Sequence, residues 1–416
     1  MSVRTARIRV AVALALAVLT SCTPAAREDR WAGVHECTPA FLRGVAAFDP
    51  SIATAPRGRV ALSWVTRDTA GADAWVSVSA DSGATFGTPQ RIDLHRGSVA
   101  SFPESRPVVA FGPSGLLVVA WAGAREGAVS ADDIVTRTSE DGGVAFGPEV
   151  VVNDDRGLPG PAYHGFVSLD VTSHGRVIAT WLDGRGAVLP TGGGEPPIAE
   201  VRCASSDDGG ARWSPSVRVA ASACPCCRPA LRAGAGLVAV AYRGVRDSLR
   251  DPRMAISRDG GATFAVDTLV SNDGWSTPGC PVAGPALTLA REGGWVAWST
   301  GARGREGVHA VSWEAAGGAT GPALALDDTL RDAAHPMLAG MGQVTLAGVI
   351  ARAGPERHAL ALRLLSAERA SSPWLLLGAD ARSAAIAVQD PVNALAAWIE
   401  QSDAGPRLRL VRLTRR

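Results

Sequence analysis

Hydrophobic and polar positions alternate with a period of two along most of the chain after residue 45, a pattern typical of strands rather than helices. One unit recurs there: an apolar strand opened by proline or a polar residue, a glycine turn, and an alternating strand that ends in tryptophan. The first copy runs from Asp49 through Gly58 to Trp64. The later copies, two of them without the tryptophan, begin at Arg106, His164, Arg228, Cys280, His335 and Arg382.

Repeats of about 50 to 60 residues without helical periodicity predict the blades of a β-propeller. We expect an all-β fold, a single propeller of four-stranded blades over residues 36–416, with seven blades favoured and six as the alternative. The last copy offers only three strands, and an open ring would leave exposed strand edges. The segment near 36–46 is therefore predicted to supply the fourth strand of the final blade.

A second motif of eight residues recurs inside four of the units, at 79–86, 139–146, 206–213 and 257–264. Serine opens it, aspartate and glycine hold its third and fifth positions, and phenylalanine or tryptophan ends it. In a tight hairpin the carboxylate can accept backbone N–H groups, glycine supplies a positive φ, and the ring packs between blades. The motif resembles the Asp-box, or BNR repeat, of the sialidase superfamily, which implies a structural role on the face opposite any ligand site.

The N-terminus has the pattern of an export signal. Residues 1–21 combine three early arginines with an apolar run that is too short to be a permanent membrane span. The run closes on Leu-Thr-Ser-Cys, which resembles the lipobox of bacterial lipoproteins and implies lipidation of Cys22. Residues 22–35 are then interpreted as a tether. We expect an exported, lipid-anchored protein of the cell envelope, held at the outer membrane.

Consecutive strands of a blade are antiparallel, so the loop entering each first strand and the loop after each tryptophan strand share one face. Stacked repeats bring these loops around one central mouth, which is the default place to look for a site. Five segments at this mouth look like a group of exported bacterial proteins similar to sialidases, a resemblance that covers roughly residues 45–300: 164–168, 181–185, 224–227, 242–247 and 279–285.

The resemblance implies sialidase chemistry, in which arginines hold a substrate carboxylate, a tyrosine paired with glutamate is the nucleophile, and an aspartate is the acid/base. Tyr163 and Asp183 are the candidates for the last two roles. The candidates for the carboxylate clamp are Arg106, Arg185, Arg243 and Arg246, and further binding candidates are His164, Asp247 and His335. The family's Phe/Tyr-Arg-Ile-Pro motif is missing before the first blade, so the sequence predicts glycan recognition and leaves hydrolysis open.

The cysteines support a rival hypothesis. Cys224, Cys226 and Cys227 fall within four residues, and Cys280 enters the adjacent unit at the same level. In an exported protein disulfides are the ordinary expectation, yet clustered thiolates with His164 and His335 nearby also suit Cu(I) or Zn.

Composition narrows the classes of partner. A formal net charge of +1 offers no basic surplus for nucleic acid. Three classes of function remain: a glycan-recognising propeller of exo-sialidase type, a metal-binding or redox propeller, and a scaffold that binds another envelope protein. The oligomeric state is not predicted.

Overall fold

The computed structural model describes residues 31–125, 131–158, 163–185, 198–234, 236–277, 279–291, 293–316, 318–341, 344–366 and 372–415. Within these ranges the chain forms seven four-stranded antiparallel sheets, and its helical elements are the 3-10 turns Ala40–Leu42 and Pro113–Gly115. Among the described residues no helix is long and apolar enough to cross a membrane. Residues 1–21, Cys22 and most of the predicted tether lie outside the described residues.

In six blades the four strands follow one another in the chain. The first strand of the described chain, β1 (Trp31–Glu36), belongs instead to the seventh blade, whose other strands come from the C-terminal end. Blade 1 consists of β2 (Phe48–Ala55), β3 (Arg59–Asp68), β4 (Gly71–Ser79) and β5 (Gln90–Arg91). Blade 2 consists of β6 (Val108–Phe111), β7 (Leu117–Ala124), β8 (Asp132–Ser139) and β9 (Val150–Val151). Blade 3 consists of β10 (His164–Val171), β11 (Val177–Asp183), β12 (Ala199–Ser206) and β13 (Val217–Ala223).

The next three blades have the same order, with the first strand of each at the centre of the ring. Blade 4 consists of β14 (Ala230–Gly234), β15 (Leu237–Arg243), β16 (Pro252–Ser257) and β17 (Val266–Leu269). Blade 5 consists of β18 (Ala286–Leu287), β19 (Gly293–Thr300), β20 (Gly307–Glu314) and β21 (Gly318–Ala325). Blade 6 consists of β22 (Arg331–Met341), β23 (Val344–Arg352), β24 (His358–Leu365) and β25 (Leu375–Leu377).

The seventh blade joins both ends of the described chain. It consists of β26 (Ala381–Val388), β27 (Asn393–Glu400), β28 (Arg407–Arg415) and, outermost, β1, which pairs antiparallel with β28. This arrangement confirms the seven-bladed all-β propeller of four-stranded blades.

The predicted position of the closing strand is wrong. The strand is Trp31–Glu36 and not the segment near 36–46, so the end of the predicted tether belongs to the sheet. Pro39 has no N–H to donate to a strand ladder, and the chain turns there into Ala40–Leu42. Thr38 marks the end of the pairing, because its hydroxyl accepts the Leu410 N–H at 2.8 Å in place of a backbone group.

The hydrophobic core lies between the blades. In six of the seven blades the second strand carries an aromatic side chain toward its end, the exception being Val344–Arg352 of blade 6. In three successive blades Trp64, Trp121 and Trp181 pack into the cluster shared with the preceding blade. Tyr242 takes the same position in blade 4. Because each blade buries apolar side chains against both neighbours, the ring is stable only when it is closed.

The four segments that resemble the Asp-box form one repeated turn at the third-to-fourth strand connection. In the first, Asp81 Oδ1 accepts the Ser79 hydroxyl at 2.7 Å and the Thr85 N–H at 2.8 Å, and Ser79 Oγ accepts the Gly83 N–H at 2.9 Å. Gly83 has a φ of 80°, which favours glycine. Phe86 packs at the boundary between blades 7 and 1. The strand order places these turns on the face opposite the mouth, and the predicted turn geometry is confirmed.

We expect Asp81→Ala to lower the free energy of unfolding by about 1 kcal/mol, because it leaves the Thr85 N–H and the Ser79 hydroxyl without their acceptor on an exposed turn. Hydrogen bonds from Thr85 lower the pKa of Asp81 to about 2, so this contribution is present above about pH 4 and is lost as the pH falls toward 2. Urea denaturation at pH 7 and pH 3 measures both effects. An equal loss of stability at the two pH values would contradict the assignment.

Candidate functional site

A cavity of about 420 Å³ opens at the mouth of the propeller, where the loops that enter the innermost strands meet. Blades 2, 4, 5, 6 and 7 contribute to its lining, among them Glu104, Arg106, Arg228, His335 and Arg382. A narrower space of about 160 Å³ continues between the innermost strands and shares Arg106 and Arg228 with the cavity. Both spaces lie where the repeats predict the mouth.

Arg106 is a buried cation that fixes the mouth rather than pairing with an acid. Its guanidinium donates to the backbone carbonyls of Pro50, Pro103 and Ala384, which belong to the regions of blades 1, 2 and 7. Burial lowers the pKa of Arg106, as expected for a charge held by neutral acceptors. Its side chain therefore ties three blades together at the rim of the channel.

Glu104 spans the mouth from blade 2 to the opposite side of the ring. One carboxylate oxygen lies 3.1 Å from His335 Nδ1 of blade 6, and the other accepts the Gly284 N–H at 3.3 Å. Burial raises the pKa of Glu104, but the His335 hydrogen bond and the charge of Arg228 outweigh it and bring the pKa below the usual value. Glu104 is therefore an ionised, paired carboxylate at neutral pH.

Arg228 lines both spaces and is half-buried. Within the described part of the chain its guanidinium has no hydrogen bond or ion pair. Burial and the neighbouring Arg106 lower the pKa of Arg228 to about 10, so the side chain is still a cation at neutral pH. The backbone of Arg228 is held tightly, because a Cβ on Gly284 would lie 2.2 Å from its carbonyl oxygen.

His164 lies in a buried charged cage and not in the mouth cavity. Its Nε2 lies 3.0 Å from Asp155 Oδ2 and 3.3 Å from Asp183 Oδ2, and its Nδ1 lies 2.7 Å from the Asp132 carbonyl oxygen. Burial lowers the pKa of His164, but the two carboxylates outweigh it and raise the pKa to about 9. The same charge–charge contact brings the pKa of Asp183 to about 2.

This cage changes the interpretation of Asp183 and Arg185. Asp183 also accepts the Trp181 indole N–H at 2.8 Å, and Arg185 donates to Asp183 and Asp154 at 2.9 and 2.7 Å. A fully buried, ionised carboxylate with all its partners in the protein has no proton to give to a substrate. His164, Asp155 and Asp183 are close enough to hold a metal, but the imidazolium already supplies the cation between the acids.

The other predicted site residues are dispersed. Tyr163 donates its hydroxyl to the Pro225 carbonyl at 2.6 Å, and burial raises its pKa, the opposite of what a nucleophile requires. Arg243 is fully buried and donates to the carbonyls of Arg250, Ala283 and Ser299. Arg246 lines a separate cavity of about 300 Å³ on blade 4, and Asp247 is exposed beside it. The predicted residues that share the mouth cavity are Arg106 and His335.

The four clustered cysteines do meet. Cys226 and Cys280 form a disulfide, and Cys224 Sγ lies 3.7 and 3.6 Å from their sulfurs. Cys227 Sγ lies 3.5 Å from Cys224 Sγ, and both of these cysteines are free thiols. The hydrogen bond that Cys227 donates to Cys224 lowers the pKa of Cys224 to about 7. His164 and His335 belong to other groups of contacts in this structure.

Sequence reasoning did not select Glu104 and Arg228 as binding residues, although each had a signal. Glu104 stands two positions before Arg106 in the loop entering blade 2, and Arg228 opens the fourth repeat. Both could have been chosen from their place in the repeat. The partners of these two side chains could not be predicted from the sequence, because Glu104 contacts a histidine 231 positions away.

The comparisons with known proteins support the fold. No family model and no curated protein matches the chain. A protein of unknown function from Dyadobacter fermentans superimposes with a TM-score of 0.53 at 15% identity, over 94% of this chain and 100% of that chain. An α-L-arabinanase from Penicillium chrysogenum, complexed with arabinobiose, gives 0.49 at 14% identity over 89% of this chain and 93% of that chain. A Hadza microbial sialidase superimposes with a TM-score of 0.48 at 13% identity, over 89% of this chain and 65% of that chain. The match to the Dyadobacter fermentans protein, at 15% identity, shows a shared fold alone.

The His164 cage predicts a bell-shaped dependence of stability on pH. Its raised pKa contributes stability that is full below the ordinary value of 6.5 and is lost as the pH rises through about 9. The lowered pKa of Asp183 contributes stability that is present above about pH 4 and is lost toward pH 2.

We expect Asp183→Asn to move the alkaline loss of stability to lower pH, because one of the two carboxylates that hold the proton on His164 is removed. Melting temperatures between pH 5 and 10 measure the shift, with the exposed Asp207→Asn as the control. Coincident alkaline profiles for Asp183→Asn and the unsubstituted protein would refute the cage.

Proposed function

We propose that this protein recognises an acidic glycan whose carboxylate binds Arg228 in the mouth cavity. The observation that carries the proposal is the Arg228 guanidinium, a cation that lines a cavity of about 420 Å³ without an acceptor among the described residues. Guanidinium and carboxylate form paired, charge-assisted hydrogen bonds, so a bound acid would satisfy donors that the protein leaves free.

The charge balance of the cavity favours an anion. Glu104 forms its hydrogen bond with His335 and acts on Arg228 and Arg106 only through its charge, so two guanidinium charges face one carboxylate charge. The other ions of the lining have partners outside the cavity: Arg382 pairs with Asp380 at 3.0 Å, and Asp332 pairs with Arg352. A neutral ligand would leave the surplus charge uncompensated.

The shape and lining favour a sugar. About 420 Å³ lies within the range of small-ligand sites, and the charged groups alternate with apolar ones: Pro281, Val282, Pro336, Met337 and Ile350. A sugar ring presents C–H groups on its faces and hydroxyls at its edges, which suits such a mixture. The Asp-box resemblance of the four repeated turns, found in the sialidase superfamily, points to the same class of ligand.

Recognition and not hydrolysis is the activity we propose. Tyr163 and Asp183, the two candidates for sialidase-type catalysis, have their polar atoms bound inside the protein and away from the cavity. Export and lipid anchoring at Cys22 belong to the same proposal, and the pattern of residues 1–22 supports them. The protein would then bind the glycan at the cell envelope.

Calorimetric titration with glucuronic acid and with its neutral analogue glucose tests the proposal. We expect the acid to bind and glucose to bind at least about tenfold more weakly, because a charge-assisted hydrogen bond contributes about 1.5–3 kcal/mol. Arg228→Met should weaken binding of the acid about tenfold to a hundredfold, because it removes the guanidinium while keeping an unbranched apolar stem.

Arg246→Met is the matched control, since Arg246 is exposed and lines a different cavity. It should leave the affinity for glucuronic acid unchanged. Equal affinities for the acid and glucose, or an equal loss in the two arginine variants, would contradict the proposal.

A further inference from the structure

Beside the mouth cavity the sulfurs of three cysteines lie close together. Every pair among Cys224, Cys226 and Cys280 lies within 4.8 Å, and Cys224 is almost equidistant from the other two, at 3.7 and 3.6 Å. A trigonal site with metal–sulfur bonds of about 2.3 Å separates its sulfurs by about 4 Å. The distances from Cys224 Sγ to the other two sulfurs are thus already close to those between ligands of one metal ion. Cys280 is exposed, and its sulfur needs to move away from that of Cys226 when their bond is reduced.

A second observation concerns charge. Arg243 and Arg250 are both fully buried, and neither has an ion pair with a carboxylate among the described residues. The Nε and Nη1 atoms of Arg250 have no hydrogen-bond partner. Both arginines act electrostatically on Cys224. Buried cations without counter-ions are costly, so two of them beside a sulfur cluster indicate that the cluster carries negative charge in its functional state.

We propose that Cys224, Cys226 and Cys280 bind one Cu(I) ion when the Cys226–Cys280 disulfide is reduced. The proposal is independent of the acidic-glycan site. Three thiolates and one Cu(I) carry a charge of −2, which the two charges of Arg243 and Arg250 balance. Cu(I) is a soft ion that selects thiolates, whereas Zn(II) sites are almost always four-coordinate, and Cys227 lies outside the mutually close set of three.

The reaction balances with an external dithiol as the reductant. The dithiol gives two electrons and two protons to the Cys226–Cys280 bond, which becomes two thiols, and the dithiol becomes a disulfide. Cu(I) then forms bonds to the three sulfurs, and the thiol protons pass to water. Cys227 keeps its contact with Cys224 at 3.5 Å and can donate a hydrogen bond to that ligand. After the ion leaves, the disulfide form of the external dithiol takes back the two electrons and two protons, and the Cys226–Cys280 bond forms again.

The test is a competition for Cu(I) between the full chain and the chromogenic chelator bathocuproine disulfonate, without oxygen, after reduction with a phosphine that is then removed. We expect the protein to withdraw one Cu(I) per chain, and Cys280→Ser to abolish this withdrawal. Cys280 is exposed, so the variant should keep its fold, which circular dichroism verifies. Cys37→Ser is the control, because that free thiol packs at the boundary between blades 7 and 1.

Arg250→Met separates the charge argument from the sulfur geometry. It should lower the Cu(I) affinity about tenfold, the usual effect of losing an outer partner of a ligand, without lowering the melting temperature of the metal-free protein. Failure of the folded, reduced protein to withdraw Cu(I) would overturn the proposal, as would equal withdrawal by Cys280→Ser or a preference for Zn(II) in a parallel competition. An unchanged affinity in Arg250→Met would overturn the role of the buried charges.

Discussion

Closure of the ring buries the faces of every sheet in this propeller and positions the mouth. In the described residues a hydrophobic cluster lies at each of the seven blade boundaries, so each sheet is buried on both faces only by its two neighbours. The boundary between blades 7 and 1 includes Leu42 and Leu408, which come from opposite ends of the chain. Pairing of β1 with β28 completes the last sheet there, and the mouth cavity exists because the closed ring holds the entering loops around one axis.

The fold could be predicted because its signals are local and repeated. Alternation, glycine turns and the terminal tryptophans are properties of single strands, and copies of the Asp81 turn add independent support. The closing strand was misplaced because several neighbouring segments can serve as a strand edge, and Pro39 decides among them. The site was less predictable, since the role of His164 depends on Asp155, a partner in a loop nine positions earlier that no motif marks.

Buried charge has two opposite uses in this propeller. In the His164 cage each charge is matched by neighbours, with Asp155 and Asp183 around one imidazolium, and the shifted pKa values of His164 and Asp183 link this cage to stability at neutral pH. At the mouth Arg228 lacks a matching acceptor, and near Cys224 two nitrogens of the buried Arg250 lack one as well. A buried charge that lacks a partner in the protein therefore marks a place where we propose that a ligand or ion binds. A buried charge whose partners are all in the protein marks a structural contact.

A crystal structure of the protein with glucuronic acid bound would show whether Arg228 binds the carboxylate of an acidic sugar. We expect density for the sugar in the mouth cavity, with its carboxylate within hydrogen-bonding distance of the Arg228 guanidinium and the Glu104–His335 contact preserved. Density at another place, such as the cavity beside Arg246, or a carboxylate directed away from Arg228, would contradict it.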